Sequence, residues 1–515
     1  MRWPIGLGLV LAALVAAALA YFGGDDGESS AAVEKGKPPV VLLMFDEFPA
    51  DLLLGPNGKI DRGRYPAFAE LADAGYWFPN ATTTFDSTTK AIPQIVDGRL
   101  PRPGGQPTFR GHPHSIYDLF GRRGYAIRRM ESATSICPPR YCRGASTRRP
   151  AILPQLQAGR RERFARFLAS IEPTEEPTFW LGHVLLPHGP YLFLPSGKQM
   201  RAGWQDLVPG TNGPAGFGSE YLAHHAQQRL QLQIGFVDRQ LGRLFARMRR
   251  DEIFDRSLIV VTADHGISSE WGVESRRDTT MANIDELAPV PLFVKAPGQR
   301  HGKTVRSYVR TTDVTPTIAD LLNMRIGWRV DGRSAFSPTV RKRRRAMIVK
   351  RDFSRRLWIS ASDLSRRRAE LLRLRLHRFG SRSWDRLYAG IGPHTGLIGK
   401  PVGRLAIAAS GPRARIAGRS AFRSVGRSLV VPTQVAGTVD SGPGSHTRDI
   451  AVAVNGTIEA VGRTFHLRPD ALESTRESES FSVMVPESSM HKGRNVVEIL
   501  AVENGGRRLV RLGRS

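Results

Sequence analysis

The residues with the most chemical content stand where apolar runs stop. "VVLLMF" (40–45) leads directly into Asp46-Glu47, and "SLIVVTA" (257–263) into Asp264-His265. If both runs are strands of one parallel sheet, these groups meet at its carboxyl edge, where open α/β folds build their sites. Carboxylates and an imidazole gathered there could hold a divalent cation. Each could equally be an isolated polar turn, and periodicity does not choose between the two. Between the runs, "NATTTFDSTTKAIPQIVDGRLP" (80–101) carries hydroxyls to the start of a predicted helix. The free amides and dipole at such an end favour an anion. A threonine there could bind the cation, lose its proton and attack phosphorus or sulfur; it could also simply cap the helix.

The elements that would position these groups are legible in outline. Besides the two runs above, "TFWLGHVLL" (178–186) and "PLFVKAPG" (291–298) read as strands buried on both faces. "YPAFAELADAG" opens on proline and closes on glycine, as helices do, and residues 219–250 form a long amphipathic helix. Strands alternating with helices predict an α/β fold, a mostly parallel sheet sandwiched by helices. From about residue 400 the texture changes. Alternating apolar positions flank Asn455-Gly456 and again Asn504-Gly505-Gly506, which predicts hairpins of a small antiparallel β-sandwich. The expected organisation is an anchor (1–24), a tether (25–38), a catalytic domain (39–337), an arginine-rich, partly helical connector (338–399) and the β domain (400–515).

Residues Trp3 to Gly24 carry no charge, enough for one membrane-crossing helix, with Arg2 before and Asp25, Asp26 and Glu28 after. The positive-inside tendency then leaves the bulk of the chain outside the cytoplasm, held at the membrane by a single pass. Cleavage after Ala18-Leu19-Ala20 is the alternative and would release a secreted form. The two cysteines, Cys137 and Cys142, suit an oxidising compartment and a small loop disulfide. The net charge of +28 suggests an anionic lipid or envelope polymer as partner, or only arginine at solvated positions. No zinc-finger or RNA-recognition pattern is present, and nucleic acid is not expected.

The motif order resembles the alkaline phosphatase superfamily, in particular its sulfatase and phosphoethanolamine- or phosphoglycerol-transferase branch. The matching pieces are Asp46 after the first strand, "DGRLP", "PHGPY", "ADHG", "VPLFVKAPG" and "TTDVTPTIADLL", spanning roughly residues 39 to 337. The resemblance implies a metal-dependent hydrolase or transferase. Counting back from Gly98 by the sulfatase spacing, or from Pro93 by the transferase spacing, reaches Thr88 both times. It implies Asp46, Thr88, Asp264 and His265 as metal ligands, with Thr88 also the attacking group. Glu47 stands where sulfatases carry a second metal acid, and His188 where a histidine contacts the transferred anion or the leaving group. Lys90 could stabilise charge on the anion, and His183, within a strand, could support the site from behind. The imidazole in the ligand set favours zinc, with manganese or calcium as alternatives.

Departures from the pattern narrow the chemistry. Sulfatases need a cysteine or serine converted to formylglycine; Thr88 cannot undergo that conversion, and Ser87 lacks the flanking proline and arginine. Phosphate esters of the envelope are therefore expected ahead of sulfate esters. Transferases carry a further histidine about a dozen residues after the aspartate-histidine-glycine, and "ISSEWGVESRRDTT" has none. Arg276 and Arg277 either bind the anion in its place or are surface charge. His224 and His225, on the long helix, read as structural or exposed, and Asp238 as structural. The alternative function is a non-catalytic sulfatase-like domain that binds anionic polymer.

Overall fold

The computed structural model describes residues 36–200, 216–389, 391–408, 411–426, 428–440, 446–466 and 479–514. Met1–Lys37 and Pro38–Ser515 are separate units. The expected anchor (1–24) and most of the tether lie outside the described residues, among which no helix is long and apolar enough to cross a membrane.

The second unit is organised on a seven-stranded sheet. Its strands are β1 (Val40–Asp46), β2 (Tyr76–Trp77), β3 (Ala126–Glu131), β4 (Thr178–Pro187), β5 (Leu258–Ala263), β6 (Leu292–Lys295) and β7 (Lys303–Thr304), in spatial order β3-β4-β1-β5-β6-β2-β7. The β1–β4, β1–β5 and β3–β4 pairs are parallel, and β6 joins β5 antiparallel. Every residue of β1, β4 and β5 is buried, as expected for strands covered on both faces. Strand β3 was not apparent in the sequence because its "AIRRME" is only half-buried at the sheet edge.

Four helices matter for the site. They are α1 (Pro66–Ala74), α2 (Thr88–Asp97), α3 (Glu220–Arg250) and α4 (Ala361–Phe379). Gly98, at φ 71°, ends α2 in the left-handed region that glycine enters without strain. Ser219 accepts from Leu222 N to cap α3, and Arg247, Arg249 and Arg250 sit at its negative end. Asp238 of α3 is structural: its carboxylate accepts from Phe68 N at 3.0 Å, supplying the cap that Tyr65 does not give α1. Cys137 and Cys142 are joined in a disulfide.

The connector contains more strand than expected. A hairpin of β8 (Arg345–Val349) and β9 (Arg356–Ser360) precedes α4. Several of its basic side chains pair with acids of the α/β layer: Arg343 with Asp313, Arg351 with Asp86, Arg367 with Asp285 and Arg368 with Asp51. These arginines fasten the connector to the sheet-and-helix body.

Beyond it lie two five-stranded sheets, mainly antiparallel. One joins β10 (Ile407–Ala408), β13 (Asp449–Val454), β14 (Thr457–Arg463), β17 (Val497–Glu503) and β18 (Arg508–Arg511). The other joins β11 (Arg413–Ile416), β12 (Gln434–Val439), β15 (Phe465–His466), β16 (Glu479–Met484) and β19 (Gly513–Arg514). Val435, Phe481 and Val483 of one sheet and Ile450, Val452 and Ile499 of the other share an apolar core. Asn455-Gly456 and Asn504-Gly505-Gly506 form the two hairpin turns, with positive φ at each of these residues.

Candidate functional site

The parallel register of β1 and β5, with Phe45 opposite Ala263, brings Asp46 and Asp264 off the sheet side by side. Strand β4 brings Pro187 to Asp46 on the other flank, with His188 following. Gly266 closes the turn after His265, where a Cβ would stand 2.1 Å from the Glu286 carbonyl. Helix α2 delivers Thr88 as its first residue after the cap position, so the hydroxyl meets the strand ends.

Asp46, Asp264 and His265 each offer a ligand atom within 4.8 Å of the others, and all three are buried. Thr88 Oγ1 lies 3.3 Å from Asp46 Oδ1 and 3.3 Å from His265 Nε2. His265 Nδ1 lies 2.8 Å from the Gly266 carbonyl, which can only accept. The proton is therefore on Nδ1, and the Nε2 lone pair faces the cluster. Asp264 Oδ1 accepts from Glu47 N and His265 N, whereas its buried Oδ2 receives no hydrogen bond. Burial pushes Asp264 up to about 7. Asp46 is raised well above its ordinary value by burial and by the neighbouring charges of Asp264 and Glu47. An orphaned carboxylate oxygen beside crowded acids and an imidazole lone pair fits a divalent cation, whose charge would reverse both shifts.

Glu47 faces a different partner. Its carboxylate is gripped by Arg277 Nε and by Arg277 Nη2 at 3.2 Å. Burial alone would raise Glu47, but Arg277 and His188 outweigh it and hold the group at about 2. His188 Nε2 lies 3.5 Å from both Glu47 Oε1 and Arg277 Nη2. Burial lowers His188 to about 4, so its ring is neutral at neutral pH. Arg277 and His188 thus form a second wall beside the acid cluster.

The remaining expected residues sit elsewhere. Arg276 is neither surface charge nor part of the wall: it is buried over the Phe217 ring at 4.3 Å and donates to the Ser268 carbonyl. Lys90 does not join the Thr88 cluster. Its ammonium is held by the carbonyls of Arg102, Gly104 and Gly105. Two residues along a helix is about 200° of rotation, which carries Lys90 to the face opposite Thr88. His183 is fully buried in β4 with both ring nitrogens lacking a hydrogen bond, and burial, then His265 and His188, lower it to about 3. His225 bonds Gln228 and Ser482 and is structural, and His224 lies beside Glu220.

Several supporting residues carried no sequence signal. Arg160 donates to the carbonyls of Leu185, His188 and Pro190, and Gln233 to those of Pro187 and His188. Together they fix the "PHGPY" loop that carries His188. Asp86, two residues before Thr88, accepts from Thr279 and Arg351. Each contact spans tens to hundreds of residues, beyond the reach of motif spacing.

The sulfatase family's sequence pattern matches residues 38–324. The chain belongs to the sulfatase family. Lipoteichoic acid synthase 2 of Bacillus subtilis (strain 168) is 29% identical over 126 residues, covering 22% of this chain and 18% of that protein. Arylsulfatase K of Danio rerio is 30% identical over 85 residues, 16% of each. The matched stretch is thus a small part of either relative. Among solved structures, phosphonate monoester hydrolase SpPMH from Silicibacter pomeroyi aligns with a TM-score of 0.47 at 17% identity, over 66% of this chain and 95% of that one. The phosphonate monoester hydrolase of Agrobacterium radiobacter gives a TM-score of 0.45 at 17% identity, over 61% and 80%.

Proposed function

We propose that this sulfatase-family enzyme transfers or hydrolyses phosphate esters, in preference to sulfate esters, through Thr88 as nucleophile. The observation that carries this reading is the Thr88 hydroxyl 3.3 Å from both Asp46 and His265, with Asp264 completing the cluster. Thr88 cannot become formylglycine, which argues against sulfate-ester hydrolysis by the usual sulfatase route. Asp46, Asp264, His265 and Thr88 would hold a divalent cation, zinc first by virtue of the imidazole, which when bound lowers the hydroxyl's pKa and draws the ester's charge.

Arg277 receives the ester's outer oxygens and orients the phosphorus for in-line attack, while His188, its Nδ1–H facing the Gly189 carbonyl, turns its Nε2 lone pair to Arg277 and helps keep it in place. Thr88 Oγ1 gives up its proton to solvent and bonds to phosphorus, and the leaving oxygen departs with the electron pair of the broken P–O bond and takes up a proton from solvent in turn. Water or an acceptor alcohol then attacks the phospho-threonine and restores the hydroxyl. Glu47 holds Arg277 in place by its paired carboxylate. The uncharged stretch 3–24, the disulfide and the net charge support a location at the outer face of a membrane, with an anionic envelope ester as substrate.

The test uses the full chain in detergent, supplied with zinc or manganese, on nitrophenyl phosphate mono- and diesters and on nitrophenyl sulfate. Phosphate turnover should exceed sulfate turnover and fall by about 10³-fold or more in Thr88→Ala. Equal sulfate turnover, or turnover kept by Thr88→Ala, would overturn the reading.

A further inference from the structure

The connector hairpin β8–β9 lies beyond the family-matched residues 38–324, yet it is built into the nucleophile segment. Val349 N donates to the Thr84 carbonyl at 2.9 Å. Phe85 packs with Met347 and Val349, and its ring stacks on Phe353 at 5.3 Å between centroids. Lys350 Nζ reaches Asp278 Oδ1 at 3.1 Å and the Thr279 carbonyl at 3.0 Å. The hairpin tip therefore grips two segments at once, the one leading into Thr88 and the one carrying Arg277.

Arg351 joins them. Its Nε donates to Asp86 Oδ1 at 2.8 Å, and its Nη2 donates to the Asp86 carbonyl at 2.6 Å and to the Arg277 carbonyl. The other oxygen of Asp86 accepts from Thr279 N at 2.6 Å and Thr279 Oγ1 at 2.7 Å. Asp86 is fully buried and two residues before Thr88; Thr279 is two residues after Arg277. We infer that Arg351 is a positioning residue that fixes the nucleophile segment against the anion-binding segment through Asp86, making the connector a working part of the catalytic centre. This rests on the reading of Thr88 as nucleophile and Arg277 as anion ligand.

A planar guanidinium suits the role because one side chain reaches a carboxylate and two carbonyls in fixed directions, which a single ammonium cannot reproduce. Loss of Arg351 leaves Asp86 bonded to Thr279, so the fold should survive while the spacing of the two segments relaxes. Small misplacements of reacting groups cost up to about 10²-fold in rate.

The test compares the wild-type full chain with Arg351→Ala and Arg351→Lys by hydrogen exchange and by kinetics on bis(4-nitrophenyl) phosphate. Both variants should melt cooperatively and lose amide protection in the peptides around 84–90 and 275–280 together, with β13 and β17 unchanged. In Arg351→Ala, kcat should fall about 10- to 100-fold with KM changed far less, millimolar guanidinium should restore part of it, and lysine should not substitute. Wild-type protection in both peptides, or an unchanged kcat, overturns the inference. A Thr88→Ala protein that keeps turnover instead overturns the nucleophile assignment, and the exchange result then still decides whether Arg351 couples the two segments.

Discussion

At the residue scale, the site is a collection of charges that the protein alone does not balance. Asp46 and Asp264 are buried together, and Asp264 Oδ2 has no hydrogen bond. Removing one charge should therefore help the metal-free protein and harm the loaded one. Asp46→Asn is expected to raise the melting temperature in chelator but to lose most of the stabilisation that zinc gives the wild type, read by thermal unfolding with and without the ion. Equal stabilisation of both proteins by zinc would remove Asp46 from the ligand set. Much of this was legible in sequence, because acids at strand ends and a threonine at a helix start are local patterns. The direction of a side chain around a helix was not: Lys90, two residues from Thr88, points to the 102–105 loop.

At the scale of elements, long-range polar contacts set how helices meet the sheet. Asp238 caps α1 from α3, and burial raises its carboxyl from 3.8 to about 7. Across that window the folded protein holds a proton that the unfolded chain has released, so this group's contribution to stability falls as pH rises. Asp238→Asn keeps the acceptor and removes the titration. Its melting temperature relative to wild type should rise from about pH 5 to about pH 8; a constant difference would contradict the assignment. Helix α4 is held by Arg368, which donates to Asp51 at 2.8 Å and to the Pro79 carbonyl at 2.9 Å. Arg368→Met should cost about 3 kcal/mol in chemical denaturation, and the Arg368→Met, Asp51→Leu double variant should recover part of it. The apolar runs made β1, β4, β5 and β6 readable. The connector hairpin was hidden because arginine is ordinarily a solvent-facing residue, while Asp86, the partner of its Arg351, lies 265 residues away in sequence.

At the scale of the whole molecule, Pro38–Ser515 is one packed unit. Tyr221 of α3 donates to the Ser482 carbonyl at 2.7 Å, and Gln228 to the carbonyls of Leu387 and Tyr388. The connector also completes apolar clusters with the α/β layer, such as Ile284 and Tyr308 with Ile348 and Ile359. A chain stopped at residue 337 should therefore fail to elute as a soluble monomer in size-exclusion chromatography, since that truncation bares these surfaces. A soluble, active truncate would show that the connector is dispensable. The change of texture near residue 400 made the β domain visible in sequence; its bonding to α3 was not, because Tyr221 and His225 read as ordinary helix residues.

The most direct measurement of the central claim is intact-mass and peptide mapping of the full chain after brief reaction with a phosphodiester and divalent metal, quenched in acid. If Thr88 is the nucleophile, a phosphoryl adduct should map to the peptide containing Thr88 and vanish in Thr88→Ala. An adduct on another residue, or turnover by Thr88→Ala at the wild-type rate, would contradict it.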